Sequence, residues 1–429
     1  MIHIISLGIR VTSFCLVLFL SSFVAAASSN SLLQNSNNRV HVSLNGAWDI
    51  IPDPYENGYY NHRYEAKDDG YFLAETAKTP SDLIEYNFDK AQKLQVPGDW
   101  NSQDDTLFFY EGTVWYHKPF TLTPQQDKTY LLHFAAVNYH AIVYVNGQRV
   151  GEHVGGFTPF EFDVSQHLRA GHNFVVVKVD NKRERQQIPT VNTDWWNYGG
   201  ITRSVSLTTL DNIHVKDYQI ALSPGRYDQI SLNLSVAGNP DKAYITIPEL
   251  GIKQAIAIDE QGHGQVVISA TPSLWSPSSP KLYDIQLRAG SELISDKIGF
   301  RHISTQAEDI LLNGQAIFLK GIAIHEESFL HPGREWSEAD ARATLQAALE
   351  LGCNFVRLAH YPHNESMLRM ADELGLLVWA EILVYWTVLF AEPAVYLLAE
   401  QQLSDMISRD KNRAAIILWS VANETPQGA

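Results

Sequence analysis

Two periods of apolar residues divide the chain, and the change falls near residue 305. From about residue 40 to 210, apolar and polar positions alternate over short runs, as half-buried strands require. Residues 130–134, 141–145 and 174–179 are such runs, and the second ends on Asn146-Gly147, the pair favoured by two-residue hairpins. Many short strands broken by Gly and Asn turns predict a β-sandwich. A second all-β block over about 211–304 has strands at 230–236, 244–247 and 282–287. Its length, roughly 90 residues, suits an immunoglobulin-like sandwich.

Beyond residue 305 apolar runs alternate with helical stripes. A strand is predicted at 317–323, then a helix opened by a capping box of Ser337 with Asp340. Ala341, Leu345, Ala348 and Leu349 share one face of that helix, and Gly352 stops it. Strand 355–359 follows, then a helix capped by Asn364, striped by Met367, Met370, Ala371 and Leu374, and ended by Gly375. Strand 376–380, a helix over 394–410 and a last strand around Trp419 complete the series. Repeated β-then-α units imply parallel strands, here half of a (β/α)8 barrel. The last apolar run, Ile416-Ile417-Leu418-Trp419-Ser420-Val421-Ala422, delivers Asn423-Glu424 to its end. Catalytic groups of such barrels sit at the C-terminal ends of strands, so Glu424 is a candidate catalytic acid, against the alternative of a carboxylate capping a neighbouring helix.

Composition narrows the picture. The formal charge of −16 argues against a nucleic-acid or anionic-membrane partner. Aromatic content of 11% suits stacking on sugar rings, although β-sandwich cores also use aromatics heavily. Arg10, the apolar stretch 11–20 and the small residues Ala25 and Ala27 before Ser28 form a secretory signal pattern, so a secreted or periplasmic protein is expected. Residues 28–38, rich in Ser and Asn, are expected to be a mobile leader. Cys15 leaves with the signal and Cys353 remains alone, so large packed cores must hold the mature protein together. The 16 His show neither H-E-x-x-H nor Cys/His spacing, so no metal site is expected.

Several segments, in order, carry a resemblance. They are Leu44-Asn45-Gly46-Ala47-Trp48, Val96-Pro97-Gly98-Asp99-Trp100, Gly112-Thr113-Val114-Trp115-Tyr116 and Gly155-Gly156-Phe157-Thr158-Pro159-Phe160. Asp194-Trp195-Trp196-Asn197-Tyr198-Gly199-Gly200-Ile201-Thr202-Arg203 follows, then Leu319-Lys320-Gly321, His325-Glu326, Val356-Arg357, His360-Tyr361-Pro362 and Asn423-Glu424. Together they resemble glycoside hydrolase family 2, the family of β-galactosidases, β-glucuronidases and β-mannosidases. With the signal peptide read at 1–27, the resemblance implies a sugar-binding-like jelly-roll sandwich at 28–210, an immunoglobulin-like sandwich at 211–304 and the first half of a catalytic TIM barrel at 305–429. It also implies an exo-acting, retaining β-glycosidase acting on a carbohydrate, with no required cofactor. Some β-galactosidases of the family use magnesium, and a homo-oligomer is among the arrangements the family adopts.

Retaining glycosidases use two carboxyl groups about 5–5.5 Å apart, one a proton donor and one a nucleophile. By the resemblance Glu424 is the general acid/base and Asn423 holds the sugar 2-hydroxyl. Arg357 is a candidate to orient a carboxylate and His360 to bind a sugar hydroxyl; a core ion pair and a structural imidazole are the open alternatives. His325, Glu326 and Glu381 end barrel strands on the same face and are candidate supporting groups. In the resembling β-glucuronidases the residue matching Asp194 reaches across to the sugar. Trp195 and Trp196 either wall the sugar site or fill the interface between sandwich and barrel. The family nucleophile lies on a later barrel strand, and none is identifiable here. The expectation is therefore the N-terminal portion of a longer enzyme, inactive alone, or a chain completed by a partner. Glucuronide, galactoside, galacturonide and mannoside all remain open. The reading from a different class is a non-catalytic carbohydrate-binding protein with a vestigial barrel.

Overall fold

Alternation is what builds the first sandwich in the computed structural model, which describes residues 32–60, 63, 65–66 and 87–426. The signal pattern lies outside those residues. A six-stranded antiparallel sheet runs in the order Gln92–Val96, Gly46–Asp53, Thr113–Leu122, Gly171–Asp180, His140–Val145, Gln148–Val154. A four-stranded one runs His41–Ser43, Val205–Asp211, Lys128–Phe134, Phe160–Asp163. Val175, Val177 and Val179 point into the core between the sheets, while Val176 joins Trp115, Ile142 and Tyr144 on the outer face. Burial on both faces explains why this strand reads as a continuous apolar run. The Asn146-Gly147 turn has φ of 51° and 82° and closes the register between Val145 and Gln148, as a primed hairpin turn demands.

The immunoglobulin-like sandwich packs a three-stranded sheet (Val215–Leu222, Gln229–Val236, His263–Ser269) on a four-stranded one (Ile252–Ala257, Lys242–Ile247, Tyr283–Ala289, Glu292–Ile298). In Gln229–Val236 burial alternates strictly enough that Ile230, Leu232, Leu234 and Val236 all enter the core. The block is fastened to the barrel by polar contacts. Asp296 receives Arg369 and Arg413 at 2.7 Å each, and buried Trp275 donates its indole N–H to Asp372 O at 2.8 Å.

The barrel portion is a parallel sheet of four strands in chain order, Gly321–Ile324, Phe355–Leu358, Leu377–Glu381 and Ile416–Ser420. Helices Glu338–Glu350, Glu365–Leu374 and Pro393–Asp410 connect or flank them. The Ser337–Asp340 capping box, the Asn364 cap and left-handed Gly375 (φ 78°) are all in place. No helix among the described residues is long and apolar enough to cross a membrane.

Three expectations need correction. The first barrel strand starts at Gly321 rather than 317, because Gln315–Ala316 pairs with Leu311 and Leu312 in a small antiparallel sheet and 317–320 is the link out of it. The leader is held from residue 32 onwards: Asn35 donates to Tyr218 and to Ser295 O at 3.0 Å, and Arg39 binds Glu292 at 2.5 Å and Val215 O at 2.7 Å. Polar side chains here satisfy buried backbone, a role that composition does not reveal. The last strand ends at Ser420, and Asn423 continues the sheet only as an isolated parallel bridge to Tyr385.

Candidate active site

Because the four strands are parallel, the residues that follow them converge at one end of the sheet. Glu381, the last residue of the third strand, is fully buried and is the hub. Its carboxylate accepts Arg357 Nη2 at 2.7 Å and Nε at 3.1 Å, and meets His360 Nδ1 at 2.6 Å. An ionised carboxylate only accepts, so His360 is the donor through Nδ1–H. Arg357 Nη2 also donates to Asn423 Oδ1 at 2.6 Å, and its guanidinium lies 4.5 Å from the Trp379 ring centre. The Asn423 backbone is tied on both sides, N–H to Val384 O at 2.7 Å and O from Trp386 N–H at 3.1 Å. Its neighbour Glu424 takes a left-handed φ of 50°, is exposed, and accepts Trp386 Nε1–H at 2.8 Å.

From the other side comes the loop joining strands Gly171–Asp180 and Val205–Asp211. Asn197 and Asn181 exchange amide bonds with each other's carbonyls at 2.7 and 3.0 Å, and Gly199 N–H donates to Asn101 at 2.9 Å. A Cβ at Gly199 would lie 2.1 Å from the Trp100 ring, so only glycine lets the loop pass so close. Pinned in this way, the loop lays Trp195 over the strand ends, with ring centres 5.0 Å from Tyr385, 6.0 Å from His325 and 6.3 Å from His360. Trp196 packs instead with Phe108 and Phe109 at 5.0 and 5.7 Å, lining a cavity of about 230 Å³ with Tyr110 and Arg183. The loop bends at Asp194 and Trp195, and the two indoles diverge, Trp195 over the strand ends and Trp196 among those phenylalanines.

Asp194 brings an oxygen to within 4.8 Å of ring nitrogens of both His325 and His360, which likewise lie within that distance of each other. Burial, the adjacent Asp194 carboxylate and the nearby Glu424 carboxylate all push the proton affinity of the Tyr385 hydroxyl up. Burial and the adjacent His360 lower the His325 pKa, which favours a neutral ring at the mouth.

Glu326 has a different place. Its buried carboxylate accepts Arg203 at 2.9 and 3.0 Å, Arg334 at 2.6 Å and the Asn364 N–H. Burial alone would raise its pKa, but the two guanidiniums outweigh that and hold it at about 2. Arg203 also donates to Phe157 O and Pro362 O, so the cluster locks sandwich to barrel. Glu326 thus supports the strand end from behind, through Arg203 and Arg334. Sequence reasoning missed Tyr385 and Trp386, which follow the third strand with no pattern to mark them. It quoted Arg203 only as the end of a motif, since its acidic partner lies 123 residues away.

The mouth therefore offers a carboxylate on each side (Asp194 and Glu424), neutral imidazole, an amide and an aromatic wall, a donor–acceptor set suited to a polyhydroxylated ring. Residues 42–211 match the sugar-binding domain of glycosyl hydrolases family 2, and residues 303–429 match the TIM barrel domain of the same family. A putative β-glucuronidase of Formosa agariphila is 29% identical over 78% of this chain and 43% of its own length. A β-galactosidase of Thermoanaerobacterium thermosulfurigenes is 33% identical over 69% of this chain and 44% of its own. The solved Bifidobacterium dentium β-glucuronidase, complexed with coumarin-3-O-glucuronide, superposes with a TM-score of 0.79 at 25% identity, over 92% of this chain and 70% of that one. The chain thus spans under half the length of these two curated relatives. With two domain models of one family matched in order across sandwich and barrel, this chain belongs to glycosyl hydrolases family 2.

Proposed function

We propose that this chain carries the proton-donor side of an exo-acting, retaining β-glycosidase acting on terminal β-glucuronides or β-galactosides. One observation carries the reading: Asp194 from the sandwich meets His325 and His360 from two strand ends at the mouth where Glu424 also sits. Glu424 is the general acid/base, protonating the departing oxygen and later activating water. Asn423, oriented by Arg357, holds the 2-hydroxyl, while Asp194 and His360 hold hydroxyls further round the ring. Trp195 supplies the stacking wall. The attacking carboxylate belongs, by family resemblance, to a later barrel strand, so this polypeptide alone is expected not to turn over. A secreted or periplasmic setting is part of this reading, supported by the signal pattern at residues 10–27.

The test has two readouts. Calorimetric titration of the chain with D-glucuronate and with D-galactose is expected to show binding of one of them, lost in Asp194→Asn. Incubation with aryl β-glucuronide and aryl β-galactoside is expected to release no phenol. Turnover that survives Glu424→Gln would remove Glu424 from the chemistry. The exposed aromatics Phe108, Phe109 and Trp196 favour the second reading, a non-catalytic carbohydrate-binding protein. Glycan binding that disappears in Trp196→Ala but persists in Asp194→Asn would select it.

A further inference from the structure

We propose that Asp194, His325 and His360 form a binding site for a divalent transition-metal ion of the zinc class. The three come from three elements, the sandwich loop and the ends of the first two barrel strands, so no spacing motif announces them. One donor atom from each lies within 4.8 Å of the other two. Ligands on a tetrahedral zinc ion, at about 2.0–2.2 Å from the metal, sit roughly 3.3 Å from one another. The required contraction is therefore at most about 1.5 Å on the same geometry. Asp194, exposed on its loop, can shorten its own two distances by side-chain rotation, and closure between the imidazoles falls to His325, since His360 is held by Glu381.

A second observation is independent of that spacing. The fully buried carboxylate of Glu381 holds His360 Nδ1 at 2.6 Å and is itself fixed by Arg357. A carboxylate on one imidazole nitrogen fixes the tautomer and leaves the other nitrogen's lone pair for a metal, the usual outer arrangement around zinc-binding histidines. In His325, Nδ1 lies 3.3 Å from the Tyr361 hydroxyl; with the proton on Nδ1, the opposite nitrogen is free to bind a metal. The rings of Trp195 and Tyr385 wall the trio. Two imidazoles and one carboxylate with open positions beyond suit zinc, whereas magnesium requires near-octahedral oxygen ligation. A bound ion would occupy the place where a sugar hydroxyl is expected, making the metal a competitor of substrate. That last consequence rests on the proposed function; metal binding itself does not.

Equilibrium dialysis of the 429-residue chain against micromolar zinc chloride, with no sugar present, tests the site. One equivalent of zinc is expected, with magnesium not retained. Asp194→Asn and His325→Ala should each weaken retention by at least about tenfold. These two positions avoid the buried Arg357–Glu381 pair, and circular dichroism of each variant checks folding. Cobalt in place of zinc should give visible absorption that both variants lose. Failure to retain zinc, retention unchanged in both variants, or equal retention of magnesium overturns the proposal. Because neither sugar nor turnover enters the measurement, its failure leaves the glycosidase reading standing, and the converse holds.

Discussion

Glu381 and His360 are joined by a 2.6 Å hydrogen bond inside a barrel end where Glu381 has no exposed surface. The bond fixes which imidazole nitrogen carries the proton, and Arg357 balances the charge from the other side. Removing the carboxylate leaves a partly buried guanidinium without its counter-ion. Glu381→Ala is expected to destabilise the fold by about 3–5 kcal/mol in urea unfolding, the range for breaking a buried pair from one side. Glu381→Gln keeps one acceptor oxygen and should lose less. Equal losses for the two would show that charge alone, and not volume or the remaining acceptor, is what Glu381 contributes.

Two neighbouring carboxyls should give stability opposite dependences on pH. Glu326, held at about 2 by Arg203 and Arg334, binds fewer protons folded than unfolded. Its contribution is present above the ordinary carboxylate pKa of 4.5 and is lost as pH falls from there towards 2. Glu335 is raised to about 8 by burial, with the Glu326 and Asp340 carboxylates adding to it. Its protonated form is favoured in the fold, so its contribution is complete below 4.5 and is lost as pH rises from 4.5 towards 8. Urea midpoints of the parent should therefore decline towards both ends. Glu335→Gln, neutral at every pH, should reduce the alkaline decline, leaving the share of Asp372 and Asp405, which burial raises to about 6 and about 7, and should leave the acid one. An unchanged alkaline slope would show that Glu335 is not its source.

Gly199→Ala tests whether the sandwich loop is held by close packing. The added carbon would meet Trp100 at 2.1 Å and Asn181 Nδ2 at 2.6 Å, and neither partner can retreat inside a closed core. Overpacking of this kind costs about 1–3 kcal/mol. The shift should also move Asp194 and Trp195, so sugar affinity should fall together with thermal stability. Loss of stability with affinity intact would mean that the loop tip is positioned from the barrel side instead.

What the sequence discloses here is local. Hairpin Asn146-Gly147, the Ser337 capping box and the Gly375 stop are each written in a few adjacent residues whose backbone preferences leave little choice. The strand ends that bear Arg357, His360 and Glu381 follow from periodicity and the parallel rule. Contacts between distant elements are not legible in the same way. Arg203 finds Glu326 across 123 residues, Asp194 finds the two histidines across the sandwich–barrel boundary, and Tyr385 reaches Asp194 from an irregular segment. No local preference encodes those meetings; they are products of how whole domains pack. The same applies to residues 32–38, whose polar composition suggests mobility until buried backbone partners are seen.

Arg357→Lys probes the coupling between the buried hub and Asn423. The guanidinium makes a fork to both oxygens of Glu381, at 2.7 and 3.1 Å, and reaches Asn423 Oδ1 at 2.6 Å with the same Nη2. An ammonium can neutralise Glu381, but it is a point charge without the planar fork. The expected result is a fold that keeps its charge balance yet loses the Asn423 bond, worth about 1.5–3 kcal/mol as a hydrogen bond to a charged group. Freed from Arg357, Asn423 retains its backbone ties to Val384 and Trp386, so its side chain should wander while its main chain stays. Sugar affinity should then fall more than urea stability does, and a 2-deoxy sugar, which lacks the hydroxyl assigned to Asn423, should bind parent and variant equally. If the 2-deoxy sugar loses as much affinity as its parent sugar, Arg357 acts on the whole mouth, and the specific link from Arg357 through Asn423 to the 2-hydroxyl is wrong.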